Sequence, residues 1–171
     1  MDADKGALEI RTKKVSGGGI CAALCMVLLY LSTVLPAKAA ILFATSIVMG
    51  ICILRYKSLT AFLTYFAVSA LGLFLAPKCA GYYIVLFGIY PLLKLYIERI
   101  KNIIVEYIIK FVVWNIHLTG LYIVLNALGQ GALLNIATFW IWLCGIVLML
   151  IYDLVFGIVI NAFYSTYSKY L

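Results

Sequence analysis

The chain has 171 residues, of which 67% are hydrophobic and 11% are charged. Soluble globular domains contain roughly 45–50% apolar and about 25% charged residues. This chain therefore has too few charges to cover an apolar core with a water-soluble surface, and a lipid bilayer must be its solvent. At about 20 residues per membrane-spanning helix, the length allows six or seven helices, which we expect to form one bundle.

Six apolar segments follow one another along the chain, separated by short stretches that contain proline, glycine or charged residues. We expect an all-α, polytopic membrane protein with six transmembrane helices in a bundle over 18–163, and short cytoplasmic tails at 1–17 and 164–171. The six predicted spans are 18–35, 39–54, 59–76, 81–97, 103–127 and 134–163.

The beginning of the chain imitates a secretory signal. A basic leader, an apolar run and Ala37-Lys38-Ala39 reproduce the order of a signal peptide with its cleavage site. The apolar run is long for such a signal, and another span begins immediately after it. We therefore expect the segment to stay in place as the first span.

The distribution of cations predicts the orientation, because cytoplasmic loops of membrane proteins carry an excess of Lys and Arg. With the N-terminus inside, eleven cations lie on the inner side and two, Lys38 and Lys78, lie on the outer side. Both termini are then cytoplasmic, at the cell membrane, and the number of spans is even. The inner cations are Lys5, Arg11, Lys13, Lys14, Arg55, Lys57, Lys94, Arg99, Lys101, Lys110 and Lys169.

The net charge of +7 would suggest nucleic acid in a soluble protein. Here the cations lie between apolar runs, where they set topology and contact anionic lipid headgroups, so we expect no nucleic-acid partner. The five cysteines have no CxxC spacing and are interpreted as small apolar packing residues. Cys21 and Cys25 share a helix face without a His or carboxylate nearby, so we expect no metal site.

Ionisable groups at membrane depth are costly, and each is a candidate functional residue. Lys94, Glu106, Lys110 and Asp153 fall at similar depth near the cytoplasmic side. Glu106 and Lys110 have the i, i+4 spacing of a helical ion pair, and Lys94 and Asp153 have opposite charges on different helices. Three interpretations stay open: neutralisation at the interface, a polar network that couples helix movement to a partner, and a proton relay.

Two further polar residues lie near the middle of the fifth span, at Asn115 and His117. A single His without other ligands is more typical of a hydrogen bond between helices than of a metal or catalytic site, and the same interpretation applies to Asn115. We group both with the four charged residues as one candidate intramembrane polar network.

A second polar group gathers at the predicted outer side of the membrane. Its members are interpreted either as solvated loop residues or as the lining of an outward-facing pocket for a small polar ligand. These candidate substrate-binding residues are Lys78, Tyr82, Tyr83, Asn126, Gln130 and Asn135.

Two overlapping pairs of small residues, Gly18 with Ala22 and Gly19 with Ala23, occur in the first span. Small residues four positions apart let two helix backbones approach closely, so this face is a candidate for docking a partner. In the fourth span, the pair 90–91 includes a proline, which is expected to kink the helix.

No catalytic pattern is present in the sequence: it has no nucleophile elbow, no HExxH motif and no phosphate-binding loop. With a single His and few acidic residues at membrane depth, we expect neither enzymatic activity nor a cofactor.

The chain resembles the substrate-binding S components of energy-coupling factor vitamin transporters. The resemblance covers most of the chain and depends on the six-span layout and on the stretches GICAALCMVLLYLSTVLP and LFGIYPLLKLYIERIKN. These stretches also look like small uncharacterised membrane proteins of Gram-positive bacteria related to that group. The resemblance implies that the first helix packs on a transmembrane coupling subunit through Gly18, Gly19, Ala22 and Ala23, with glycine partly replacing the usual alanine.

The resemblance further implies an uptake component that binds a vitamin-like solute near the outer face and depends on partner ATPases for energy. No vitamin-specific motif is present, so the resemblance does not identify which solute the chain binds. The alternative is a membrane scaffold or assembly protein that docks other membrane subunits. An isolated channel is disfavoured because no polar stripe runs along any span.

Overall fold

The computed structural model describes residues 2–98, 102–127 and 138–167, and all regular structure in these ranges is helical. The chain divides into two compact units, Met1–Leu92 and Leu93–Leu171. A π-helical turn, Tyr83–Phe87, lies between α3 and α4. The helices are α1 (Asp2–Val34), α2 (Lys38–Leu75), α3 (Pro77–Tyr82), α4 (Tyr90–Ile97), α5 (Ile103–Ala127) and α6 (Thr138–Tyr167).

Five helical segments in the described ranges are long and apolar enough to cross a membrane. This finding confirms the prediction of an all-helical chain whose composition is compatible with multi-pass membrane insertion. α1 begins at Asp2, so the helix includes much of the segment expected to be a tail. The five segments are Arg11–Val34, Lys38–Leu75, Pro77–Ile97, Ile103–Ala127 and Trp142–Phe163.

The longest of these helices, α2, reverses direction at Lys57. This residue has φ 74° and ψ 166°, a backbone conformation that is essentially restricted to glycine and costs other residues about 1–3 kcal/mol. Cys52 Sγ and Thr64 Oγ1 lie 3.9 Å apart across the reversal, whereas twelve residues of straight helix would separate them by about 18 Å. The two halves of α2 therefore pack side by side.

α1 contacts both halves of α2. Thr64 Oγ1 donates a hydrogen bond of 3.3 Å to the Gly18 carbonyl, and Cys25 Sγ lies 3.8 Å from the Thr45 carbonyl oxygen. The buried residues of α1 recur every three or four positions, as expected for one helix face. They include Gly18, Cys21, Cys25, Leu29 and Ser32.

The predicted kink near Pro91 takes the form of the π-helical turn that precedes it. In this turn the Gly88 N–H donates to the Tyr83 carbonyl at 2.7 Å, one residue further back than in an α-helix. Pro91 has no N–H for the carbonyl four residues earlier, which belongs to Phe87. Ser46 Oγ on α2 donates to that carbonyl at 2.7 Å, so a side chain replaces the missing backbone donor.

A second hydroxyl stabilises the same turn from the other half of α2. Tyr65 OH donates to the Ile84 carbonyl at 3.1 Å. The irregular backbone is thus held by one hydroxyl group from each half of α2, which ties the turn to the rest of the first unit.

In the second unit, α5 and α6 each bury one narrow stripe of side chains. The buried residues of α5 are Lys110, Trp114 and His117. On the described part of α6 they are Met149, Asp153 and Phe156. Both stripes follow the i, i+4, i+7 spacing of a helix face, and each contains charged or polar side chains among apolar ones.

A candidate intramembrane ionic cluster

Five charged side chains of the second unit form one connected group, which we call the ionic cluster. Lys94 lies in the last turn of α4, and Glu98 directly follows that helix. Glu106 and Lys110 lie in the first two turns of α5. Asp153 lies on the buried stripe of α6, so three helices contribute to the ionic cluster.

The centre of the ionic cluster is the Asp153 carboxylate, which accepts hydrogen bonds from two ammonium groups. Lys94 Nζ donates to Oδ1, and Lys110 Nζ lies 3.1 Å from Oδ2. One carboxylate on α6 therefore binds a cation from α4 and another from α5.

Each lysine also pairs with a glutamate on its own segment. Lys94 Nζ lies 3.1 Å from Glu98 Oε1, and Lys110 Nζ lies 2.8 Å from Glu106 Oε1. Both pairs have i, i+4 spacing, which brings side chains onto the same helix face. The charges alternate in sign along the cluster, and with three carboxylates and two ammonium groups its formal charge is about −1 when all are ionised.

The central side chains of the ionic cluster are shielded from solvent, whereas the glutamate at one end is about half exposed. The side chains of Lys94 and Lys110 are each 7% exposed and that of Asp153 is 12% exposed. Glu106 is 21% exposed and Glu98 is 49% exposed. Removing one member of such a buried pair leaves an uncompensated charge, which costs about 3–5 kcal/mol.

The position of Asp153 makes its neutralisation necessary. It lies within the candidate membrane-spanning segment Trp142–Phe163, where an unpaired charge is costly. Its two lysine partners offset that cost.

The two lysines differ in how many of their donors are engaged. An ammonium group has three N–H donors. Lys94 has three acceptors, since it also lies 3.1 Å from the Asp153 carbonyl oxygen in addition to the two carboxylates. Lys110 has two carboxylate acceptors among the described residues.

Aromatic and small residues surround the ionic cluster. Lys94 Nζ lies 5.7 Å from the centre of the Phe156 ring, and Lys110 Nζ lies 5.7 Å from that of Tyr107, within the range of cation–π attraction. A Cβ placed on Gly157 would lie 3.6 Å from Lys94 Nζ. This is an ordinary van der Waals distance, so Gly157 lies directly beside the ammonium group without being required for its position.

The other two residues of the predicted polar network, Asn115 and His117, bond to the backbone of α5. Asn115 Nδ2 donates to the Phe111 carbonyl at 2.8 Å, and His117 Nδ1 lies 2.7 Å from the Val113 carbonyl oxygen. Because a carbonyl only accepts, this His117 nitrogen carries the hydrogen. Each side chain therefore donates a hydrogen bond to the backbone carbonyl one turn earlier in α5.

The structure brings Lys94, Lys110 and Asp153 together, although 59 residues separate the first from the third. Glu98 was not among the residues that the sequence assigned to the polar network. The missed signal was its i, i+4 spacing from Lys94, which is the same spacing that paired Glu106 with Lys110.

The candidate outer pocket is only partly within the described residues. In the first unit Tyr83 is buried, Tyr82 is half-buried and Lys78 is exposed. In the second unit Asn126 is exposed and its Nδ2 donates to the Tyr122 carbonyl at 3.1 Å. The remaining two candidates, Gln130 and Asn135, lie outside the described residues, so the pocket stays a prediction.

The two small-residue pairs of α1 have different surroundings. Gly18 is buried, and a Cβ there would lie 2.7 Å from Thr60 Cγ2, whereas a Cβ at Gly19 would meet nothing within 4 Å. Ala22 is half-buried and Ala23 is exposed. Gly18 therefore serves packing within the first unit, and Gly19 and Ala23 face outward.

No protein-family model matches the chain, and neither the curated proteins nor the solved structures include a match. The resemblance to S components therefore continues to depend on the residues and layout that suggested it. In the described residues, no three His, Cys, Asp or Glu side chains are grouped so as to hold a metal ion.

Proposed function

We propose that the protein crosses the cell membrane six times, with both termini in the cytoplasm. The reversal of α2 supports this count, because 38–56 and 58–75 are each about 27–29 Å long and match the hydrocarbon thickness of about 30 Å. Gly17 of α1 lies next to Tyr56 at the reversal, so the basic beginning of α1 and the basic stretch 55–57 share one end of the first unit. The positive-inside rule favours a cytoplasmic location for that end.

We propose further that the protein is an uptake component for a small, vitamin-like solute. The ionic cluster is the observation that carries this proposal. Charged residues within spans are rare because of their cost, and they mark pathways of substrates and ions or elements that move. A protein that was only anchored in lipid would not need an aspartate within a span that is paired with two lysines.

In this proposal the ionic cluster couples movements of α4, α5 and α6, which it links through Asp153. The solute binds near the outer face, where Lys78, Tyr82, Tyr83, Asn126, Gln130 and Asn135 are the candidate ligands. Energy comes from partner subunits, namely a transmembrane coupling subunit and ATPases. This arrangement follows the resemblance to S components.

Purification from native membranes in mild detergent tests the proposal. Uptake predicts that the affinity-tagged chain is recovered together with ATP-hydrolysing subunits, and that this complex hydrolyses ATP in proteoliposomes. Asp153→Asn should lower hydrolysis in a complex of unchanged composition. Recovery of the chain alone, or with membrane subunits that do not hydrolyse ATP, would contradict an uptake function.

The second candidate function is a scaffold that docks other membrane subunits. The outward-facing Gly19 and Ala23 favour it, since small exposed residues permit close approach of a partner helix. Leu at Gly19 or Ala23 should remove the partner and leave folding intact, because Gly19 has open space around it. Val27→Leu, at another exposed position of α1, is the matched control.

The same purification separates the two functions. If Gly19→Leu and Val27→Leu recover the partner equally well, this face of α1 is not a docking surface. If Gly19→Leu loses a partner complex that Val27→Leu retains, and that complex does not hydrolyse ATP, the function of the chain is that of a scaffold and not of an uptake component.

A further inference from the structure

A cavity of about 570 Å³ lies within the first unit, between the early turns of α1 and the reversal of α2. Three cations line it, and they come from two separate parts of the chain: Lys13 and Lys14 from α1, and Arg55 from α2. Hydroxyl groups of Ser16 and Tyr56 line it as well. The cavity is within the size range of small-molecule sites in proteins, about 300–1,000 Å³.

The packing of α1 against the reversal of α2 builds this cavity. A Cβ on Gly17 would lie only 2.0 Å from Tyr56 Cζ, so any larger residue at this position would displace the Tyr56 ring. The neighbouring Arg55 guanidinium carbon lies 5.9 Å from the centre of the same ring. Gly17 thereby allows Tyr56 to lie against α1, and Arg55 lines the cavity beside it.

The charge of the cavity favours an anionic ligand. None of the described lining residues is acidic, and three neighbouring cations raise the local concentration of anions. Arginine offers a planar fork of N–H donors that matches phosphate oxygens, lysine adds a point charge, and hydroxyl groups donate further hydrogen bonds. We propose that this basic cavity binds a phosphate group.

Two kinds of molecule carry such a group: an anionic phospholipid and a soluble phosphate compound. Lys13 and Lys14 directly precede the apolar run that begins at about Gly18, so the cavity lies at the end of that run, where lipid headgroups are found. Ile20 also lines the cavity and is 60% exposed, which places an apolar side chain beside the cations as an acyl chain would require.

Native mass spectrometry of the full chain in detergent tests the proposal, with one titration using phosphatidylglycerol and a parallel one using inorganic phosphate. The wild-type protein should retain one phosphatidylglycerol. Lys13→Gln, Lys14→Gln and Arg55→Gln should each weaken this binding about fivefold, the contribution of one cation near an anionic lipid surface. Lys38→Gln is the matched control, because it begins α2 about 27 Å along the helix from Tyr56.

The two titrations distinguish the sources of the phosphate group. Phosphatidylglycerol binding that resists millimolar inorganic phosphate supports a lipid site. Binding of inorganic phosphate itself, weakened by the same variants, supports a site for a soluble phosphate compound. The proposal would be overturned if the three variants bound each probe as tightly as the wild-type protein does. It would also be overturned if Lys38→Gln weakened binding as much as the three cavity variants do. If Arg55→Gln does not fold, the double variant Lys13→Gln/Lys14→Gln carries the test, since Lys13 is exposed and Lys14 half-buried.

Discussion

The two units bury different kinds of polar side chain. In the first unit the buried polar residues are hydroxyl-bearing: Ser32, Thr45, Ser46, Thr64 and Ser69. In the second they are ionisable: Lys94, Lys110, His117 and Asp153. In lipid, apolar surfaces gain little by leaving the solvent, so helices associate through close packing and polar contacts. The helices of the first unit associate through small residues and hydroxyl groups, and those of the second unit through long charged side chains.

The difference has a geometric cause. Where Gly18 faces Thr60 and Thr64, the helices approach closely enough for a hydroxyl to reach a backbone carbonyl. Where Lys94 and Lys110 reach Asp153, the long side chains connect α4 and α5 to α6, and few other described residues of α5 and α6 are buried. Hydroxyls are often satisfied within their own helix, as Ser32 is by the Leu29 carbonyl at 2.6 Å, whereas Lys94, Lys110 and Asp153 form ion pairs across helices.

The largest expected effect is therefore that of Asp153→Asn. The change leaves Lys94 and Lys110 with only the more exposed Glu98 and Glu106 as ionic partners, and the free energy of unfolding should fall by about 3 kcal/mol, the lower end of the cost of breaking a buried ion pair. SDS titration in mixed micelles measures this loss. The double variant Lys94→Gln/Asp153→Asn should lose less than the sum of the two single changes. Strict additivity would show that the contact does not contribute to stability.

A second prediction tests close packing in the first unit. A Cβ at Gly88 would lie 2.8 Å from the rings of Tyr65 and Tyr83, both of which are buried. Gly88→Ala should therefore destabilise the protein by about 1–3 kcal/mol, as overpacking does. Gly19→Ala is the control, because its Cβ meets open space and the better helix propensity of alanine should stabilise the protein by about 0.5–1 kcal/mol. Equal effects of the two changes would show that small residues are not what shapes this unit.

The hydroxyl bonds of the first unit are expected to contribute less than the ionic cluster. Ser46→Ala removes the donor to the Phe87 carbonyl and should cost about 0.6 kcal/mol, at most about 1.7. Pro91→Ala restores a backbone N–H near that carbonyl, so the cost of Ser46→Ala should shrink in its background. A double-mutant cycle on the free energy of unfolding measures this coupling. A Ser46→Ala loss as large as that of Asp153→Asn would remove the contrast between the units.

The smallest effect is expected at the reversal of α2. Lys57→Gly should relieve the positive φ, a gain of about 1 kcal/mol that the larger chain entropy of glycine reduces to a net stabilisation below about 0.5 kcal/mol. Lys57→Val should be destabilising, because a β-branched side chain tolerates this conformation poorly. A thermal melt that ranks valine at or above glycine would contradict a strained reversal.

Local patterns identified much of this architecture before the fold was known. The apolar segments predicted helices, and the basic stretch 55–57 marked the position where α2 reverses. The spacing of Glu106 and Lys110 also predicted a pair that the structure contains. Such features depend on helix geometry within a few residues, so a sequence is sufficient to identify them.

Helix packing decided the remaining features. Gly18 and Gly19 are neighbours in sequence, yet the rotation of α1 buries the first and leaves the second open. Pro91 predicted an irregular helix, but only packing against α2 placed Ser46 at the freed carbonyl. The sequence by itself determined the helices, their apolar character and the charges they carry. The tertiary structure decided that Lys94 and Lys110 share Asp153, because a contact across 59 residues depends on how the helices are rotated and aligned, which no local spacing specifies.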